Sequence, residues 1–173
     1  MLFLQKFDMD KIQLSKELVA WLPKFIQKHY VAEYEVLEIH ESPTMLSKLN
    51  SHYIKSLPNY SSWEFSPDIL GVLRKKSDST IALVLINRAV SGLSLKEIGE
   101  LHCYAKLAKA NFAFLVSTSG VSNEVNILLV DKPIRDRLLN FAEDKTITIF
   151  TWNEDTKSAD KNSVLPIEMR NLF

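Results

Sequence analysis

The sequence predicts a single mixed α/β domain, with a central sheet of about five strands and helices on both sides. Three observations predict it. The run Ile81–Ile86 is almost continuously apolar, which suits a strand buried on both faces. A second such run, 112–116, follows a full capping box, Ser94-Leu95-Lys96-Glu97, that opens a helix between the two. A helix lying between buried strands argues for a crossover connection over a mixed sheet.

The elements read in order as follows. Asp10 and Gln13 resemble a capping box, so a helix is expected to start there. Leu14, Leu18, Trp21, Leu22, Phe25 and Ile26 recur at helical spacing, and Pro23 predicts a kink or restart near Leu22. Residues 34–40 alternate as a strand with one wet face. Ser42-Pro43 reads as the N-cap and first residue of a short helix to about Leu49. Residues 50–62 read as irregular. The segment from Trp63 to Lys75, the turn-like stretch 76–79 and the run from Ile81 form a hairpin.

The helix opened at Ser94 is expected to reach about Ala110, with Ile98, Leu101, Ala105 and Ala108 as its stripe. Further helices are expected over 122–130 and 133–142, the second with Pro133 at its first position, and a strand over 146–152. Residues 1–152 are read as one domain, with its core at 63–152 and an extension at 1–62. The polar tail, 153–173, is expected to pack poorly, with only Leu165, Ile167, Leu172 and Phe173 able to dock.

Composition narrows the function classes. The chain has 173 residues, 46% of them apolar, with 21 Lys and Arg balancing 21 Asp and Glu. A strongly electrostatic nucleic-acid binder carries a basic excess, so this balance argues against tight, constitutive binding. One cysteine, Cys103, allows no internal disulfide and favours a reducing, cytoplasmic compartment. One Cys and four scattered His (His29, His40, His52, His102) lack zinc-ligand spacing. No stretch of about 18 apolar residues exists, so a soluble protein without a membrane span is expected. A homodimer is allowed, although nothing in the chain demands it.

The chemistry-bearing residues cluster between Trp63 and Gly120. Pro67-Asp68 precedes Ile81–Arg88, and Glu100-Leu101-His102-Cys103-Tyr104 lies on the following helix. In that order these segments resemble the PD-(D/E)xK, or restriction-endonuclease-like, nucleases. That family carries Pro-Asp on a first core strand, Glu-x-Lys or Asp-x-Lys on a second, and often Gln-x-x-x-Tyr on the next helix. The resemblance implies a restriction-endonuclease-like fold, a divalent metal such as Mg²⁺, and DNA or RNA as partner. It covers about sixty residues well and the region down to Trp152 loosely. The second element is degenerate, with Leu85-Ile86-Asn87 standing where Glu-x-Lys is expected. Mg²⁺ needs oxygen ligands, and phosphodiester hydrolysis in such a site needs the metal.

The resemblance assigns Asp68, Glu100 and Asn87 to the catalytic position, with Asp68 and Glu100 as metal ligands if Glu100 replaces the lost acid. Lys75, Lys96 or Lys106 would then replace the lost positive charge. Arg74, Lys75, Lys76, Arg88, Lys106 and Tyr104 are the candidate nucleic-acid contacts. Each has a plainer reading: a strand-edge aspartate, a solvated helix glutamate, a packing tyrosine, a solvated basic turn. His102 has no visible partner for general-base work. Cys103 reads as a buried apolar residue, and Ser117–Gly120 lacks the lysine and glycine density of a phosphate loop.

Three functions follow. The first is a nuclease-like domain that has lost catalysis and serves nucleic-acid binding or protein assembly. The second is an active metal-dependent nuclease rebuilt on Asp68 and Glu100. The third is an interaction domain unrelated to nucleic acid.

Overall fold

The apolar stripe of the first helix decides where the sheet is covered. The computed structural model describes residues 2–173, with side chains from residue 11 onward. Helix α1 spans Leu2–Tyr30 and buries Leu14, Leu18, Leu22, Phe25 and Ile26. The expected start at Asp10 is corrected: α1 begins eight residues earlier, and the Asp10 side chain lies outside the described residues. The helix also runs through Pro23 without a break. Leu22, Phe25 and Ile26 flank that proline and are all buried, so packing on the sheet carries the helix across the missing hydrogen bond.

Strand β1 (Tyr34–Glu41) forms where the sequence predicts, but without one wet face: Leu37 packs on one core, Val36 and Ile39 on the other, across a register shift between Val36 and Glu38. The helix expected from Ser42 does not form. Ser42 takes a left-handed φ of 45° and donates its N–H to the Asp68 carbonyl at 2.7 Å, so it turns the chain rather than capping a helix. Only a 3-10 turn at Leu46–Lys48 remains. Within the expected irregular stretch, Ser51 caps a one-turn helix α2 (His52–Lys55).

The hairpin is formed by β2 (Ile69–Lys75) and β3 (Ile81–Ala89), antiparallel and with Ile69 opposite Ile86. Helix α3 (Leu95–Leu107) starts at Ser94 with both halves of the capping box made. Burial pushes the Glu97 carboxyl up, but hydrogen bonds from the Ser94 side chain and backbone N–H outweigh it and hold the group below the usual range. The helix stops short of Ala110 because Lys109 turns left-handed at φ 50°.

Strand β4 (Phe112–Ser117) lies parallel to β3. Helices α4 (Asn123–Val130) and α5 (Lys132–Leu139) lead to a short strand β5 (Asn140–Ala142), which the sequence reading placed inside a helix. Pro133 is the second residue of α5 rather than the first. Strand β6 (Lys145–Asn153) runs parallel to β4, and β7 (Ser158–Ala159) adds to its end.

The result is a mixed sheet in the order β1-β2-β3-β4-β6-β5, flanked by helices. Five of its strands are long, and the two short ones bring it to seven. Alternate residues of β3 feed two cores. Leu83, Leu85 and Ala89 pack with Ile98, Leu101 and Ala105 of α3, together with Val125, Leu129 and Leu139 of α4 and α5. Ala82, Val84 and Ile86 pack with α1. Among the described residues, no helix is long and apolar enough to cross a membrane.

The expectation of a poorly packed tail is corrected. Val164 is fully buried, Leu165 exchanges backbone hydrogen bonds with Ile149 at 2.8 and 2.9 Å, and Phe173 stacks 6.1 Å from Trp21. Of the four residues expected to dock, Leu165, Leu172 and Phe173 do, and Ile167 stays exposed. The apolar residues at the end of the tail cover the sheet face beside α1, which a polar composition conceals.

Helix α1 lies close on β2 at Gly71, where an added Cβ would be 2.9 Å from Leu22 Cδ2 and 3.1 Å from Val84 Cβ. Gly71→Ala is expected to destabilise the fold by about 1–3 kcal/mol through overpacking. Urea unfolding checks this, and an unchanged midpoint would show that the contact has slack.

Candidate functional site

Because β2 and β3 pair in register, Asp68 is placed one residue ahead of β2 and directly across from the end of β3. Its backbone N–H donates to Asn87 Oδ1 at 3.2 Å. Its carboxylate is committed to Arg88. Oδ2 accepts the Arg88 backbone N–H at 2.7 Å, and Oδ1 lies 3.2 Å from the Arg88 guanidinium Nη1. The guanidinium also donates through Nε to Ser15 Oγ of α1. The Arg88 side chain is only 13% exposed and that of Asp68 34%, so the pair is partly withdrawn from water.

The hairpin register changes which residue stands beside Asp68. Leu85 pairs with Leu70, two positions deeper, and is fully buried in the α3-side core. The side chain that meets Asp68 across the hairpin is the buried amide of Asn87. Arg88 is indeed out of phase with Asn87, since it reaches α1, which packs on the opposite face from α3. That draws the Asp68 carboxylate toward the α1 side.

Glu100 and Tyr104 meet each other on α3. The Tyr104 hydroxyl donates to Glu100 Oε1 at 2.6 Å, and its ring stacks on Phe65 at a centroid distance of 4.5 Å. Burial, the Glu100 hydrogen bond and the neighbouring negative charges, Asp68 among them, push the Tyr104 phenol up to about 12. Tyr104 is therefore a packing tyrosine that also anchors Glu100.

The donor chemistry around Asp68 does not fit a divalent cation in this arrangement. One oxygen faces a guanidinium, the other a backbone N–H, and the adjacent position offers an amide rather than a carboxylate. Glu100 is engaged by Tyr104. Among the described residues, no three His, Cys, Asp or Glu side chains converge as a metal-holding group.

The basic candidates are not brought together. Arg74 and Lys75 lie at the far end of β2 and Lys76 just past it, about 20–26 Å from Asp68 at roughly 3.3 Å per residue. Arg74 pairs with Glu35 at 3.3 Å, Lys75 lies 3.9 Å from Asp78, and Lys76 donates to the Val31 carbonyl at 2.6 Å. Lys106 is exposed in the last turn of α3, and Arg88 is held at the opposite sheet end.

Two neighbouring expectations are resolved as well. His102 Nδ1 lies 2.9 Å from the Leu138 carbonyl, so it tethers α3 to α5. Cys103, expected to be buried, is exposed, because the buried stripe of α3 passes through Leu101 and Ala105 instead.

Sequence reasoning missed Ser15, which is fully buried and orients Arg88. Its signal was a serine on the apolar stripe that runs through Leu14 and Leu18. It also missed the polar set on β1. There Glu38 Oε2 accepts Ser51 Oγ at 2.7 Å and contacts His40 Nε2 at 2.8 Å. Burial raises the Glu38 carboxyl, but those two hydrogen bonds hold it below the usual range. Ser51 also caps α2, so this set fastens α2 to the sheet edge.

Arg88→Ala leaves the Asp68 carboxylate partly buried without its cation. A loss of about 2–4 kcal/mol is expected, toward the lower end of a buried pair because Asp68 retains some water. A thermodynamic cycle with Asp68→Ala is expected to return a coupling of about 1–3 kcal/mol, and a coupling near zero would dissolve the pair. At high pH, Tyr104 sets a second expectation. Its raised value favours the neutral phenol in the folded state. That contribution is complete below the ordinary value near 10 and is lost as pH rises toward about 12. Stability measured over that window should fall less steeply in Tyr104→Phe than in the unaltered chain.

No family model and no curated protein matches the chain. Among solved structures it is similar to the MspJI restriction endonuclease in complex with a 27-mer oligonucleotide, at 14% identity and a TM-score of 0.39. The match covers 80% of this chain, which spans 26% of the length of that endonuclease chain.

Proposed function

We propose that this chain is a PD-(D/E)xK-like domain that no longer hydrolyses phosphodiesters and serves nucleic-acid binding or protein assembly. The observation that supports this is the commitment of the Asp68 carboxylate to Arg88. A nuclease of that family needs this carboxylate to present free oxygens to a metal. Here a guanidinium faces it at 3.2 Å, where a second cation would be repelled. The amide of Asn87 supplies neither the negative charge of an acid nor the positive charge of a lysine. The element order also supports the family reading: an antiparallel hairpin, a crossover helix, and then a parallel strand. An exposed free thiol at Cys103 fits a reducing cytoplasmic setting.

The scattered, locally paired cations make a continuous phosphate track unlike this surface, so nucleic-acid binding would be modest and salt-sensitive. The decisive assay offers single- and double-stranded DNA and RNA to the purified chain with Mg²⁺ or Mn²⁺. No cleavage and no metal-dependent thermal shift are expected. Metal-dependent cleavage abolished by Asp68→Ala would overturn the reading in favour of an active site rebuilt on Asp68 and Glu100. In the same series, retention on nucleic acid that weakens with added salt marks a binding module. No retention at any salt moves the weight to a protein-interaction domain unrelated to nucleic acid.

A further inference from the structure

We propose that the α1 side of the molecule carries a binding site for a small aromatic anion the size of one nucleoside monophosphate, with its ring against Trp21 and Phe173 and its anionic group between Lys24 and Lys28. The site is distinct from the Asp68 cluster and does not rest on the nuclease-like reading.

A cavity of about 240 Å³ opens between α1 and the C-terminal segment. Trp21, Phe25 and Phe173 form its apolar walls, while Lys24, Lys28 and His29 supply its basic side. No Asp or Glu lines it. Trp21 and Phe173 are nearly parallel, 16° apart, and Phe25 packs 5.3 Å from Phe173. Flat, polarisable walls of this kind suit a ring better than a flexible alkyl chain. The volume is below the roughly 300 Å³ at which small-molecule pockets usually begin, so it takes in the base of one such ligand and leaves the sugar and the anionic group at its open rim, beside the exposed lysines.

The charge pattern selects the ligand's sign. Lys24 and Lys28 are four residues apart on one helix, where like charges repel each other. Among the described residues neither ammonium lies within 4.0 Å of a carboxylate, that of Phe173 included. His29 is pushed below its ordinary value, first by burial and then by the charge of Lys28. An anion bridging the two lysines would relieve that repulsion, while the rings would keep the apolar part of the ligand out of water.

The test titrates the full chain with adenosine monophosphate, read by calorimetry and tryptophan fluorescence, alongside adenosine and inorganic phosphate as separate ligands. Both lysines are exposed, so the double variant Lys24→Ala/Lys28→Ala retains the fold, which circular dichroism checks. Binding of the monophosphate is expected, about tenfold or more weaker in the double variant and for either fragment alone. No binding to the folded chain would overturn the site. Undiminished binding in the double variant would place it elsewhere. Adenosine binding equally well would remove the anionic requirement, and phosphate binding equally well would remove the aromatic one. Each of these outcomes refutes the proposal.

Discussion

Strand β3 is buried on both faces, and most of the architecture answers to that constraint. Residues Ala82 to Ile86 expose almost nothing to water, so apolar layers must cover them above and below. The crossover through α3 supplies one layer, and α1 with the C-terminal residues supplies the other. Strand β2 must pair at a register that keeps both alternations intact, because a slip of one residue would turn each side chain to the wrong core. That register is also what delivers Asp68 to Asn87 and Arg88. The polar site at the end of the hairpin is thus a by-product of how the apolar strand is packed.

At that end a guanidinium stands beside the aspartate. An arginine is part of the chain and brings its own fork of donors, so it can bridge Asp68 to Ser15 and tie β2, β3 and α1 together. The same aspartate therefore does architectural duty, and the hairpin end is stiffened rather than kept open for exchange with solvent.

The fold was legible wherever pattern and local chemistry agreed. The run at Ile81–Ile86, the capping box at Ser94 and the turn after Lys75 each specify one structure and are found as read. Three of the misses share a cause, which is tertiary contact overriding a local signal. Pro23 is held in a helix by its buried neighbours, Ser42 is recruited by the Asp68 carbonyl, and the polar tail hides apolar residues that close a core. At the site, Asp68 could be singled out from its setting, but its partner could not. Arg88 looks out of phase until the carboxylate is seen to lean across the strand end, and Ser15 lies 73 residues away in sequence.

The layer over the α1 side of the sheet has a temporal consequence. It is assembled from the two extremes of the chain, as the Glu17 to Trp152 hydrogen bond at 2.7 Å across 135 residues makes plain. The α3 side draws its buried residues from the interior of the chain, Leu46 to Ile149. During synthesis on the ribosome, α1 therefore emerges long before Trp152 and Phe173 exist to meet it, and the edge of its stripe at Trp21 is left uncovered in the interval. Once the hairpin forms, Val84 and Ile86 can cover most of that stripe, and the Trp21 edge is the last part of the layer to close.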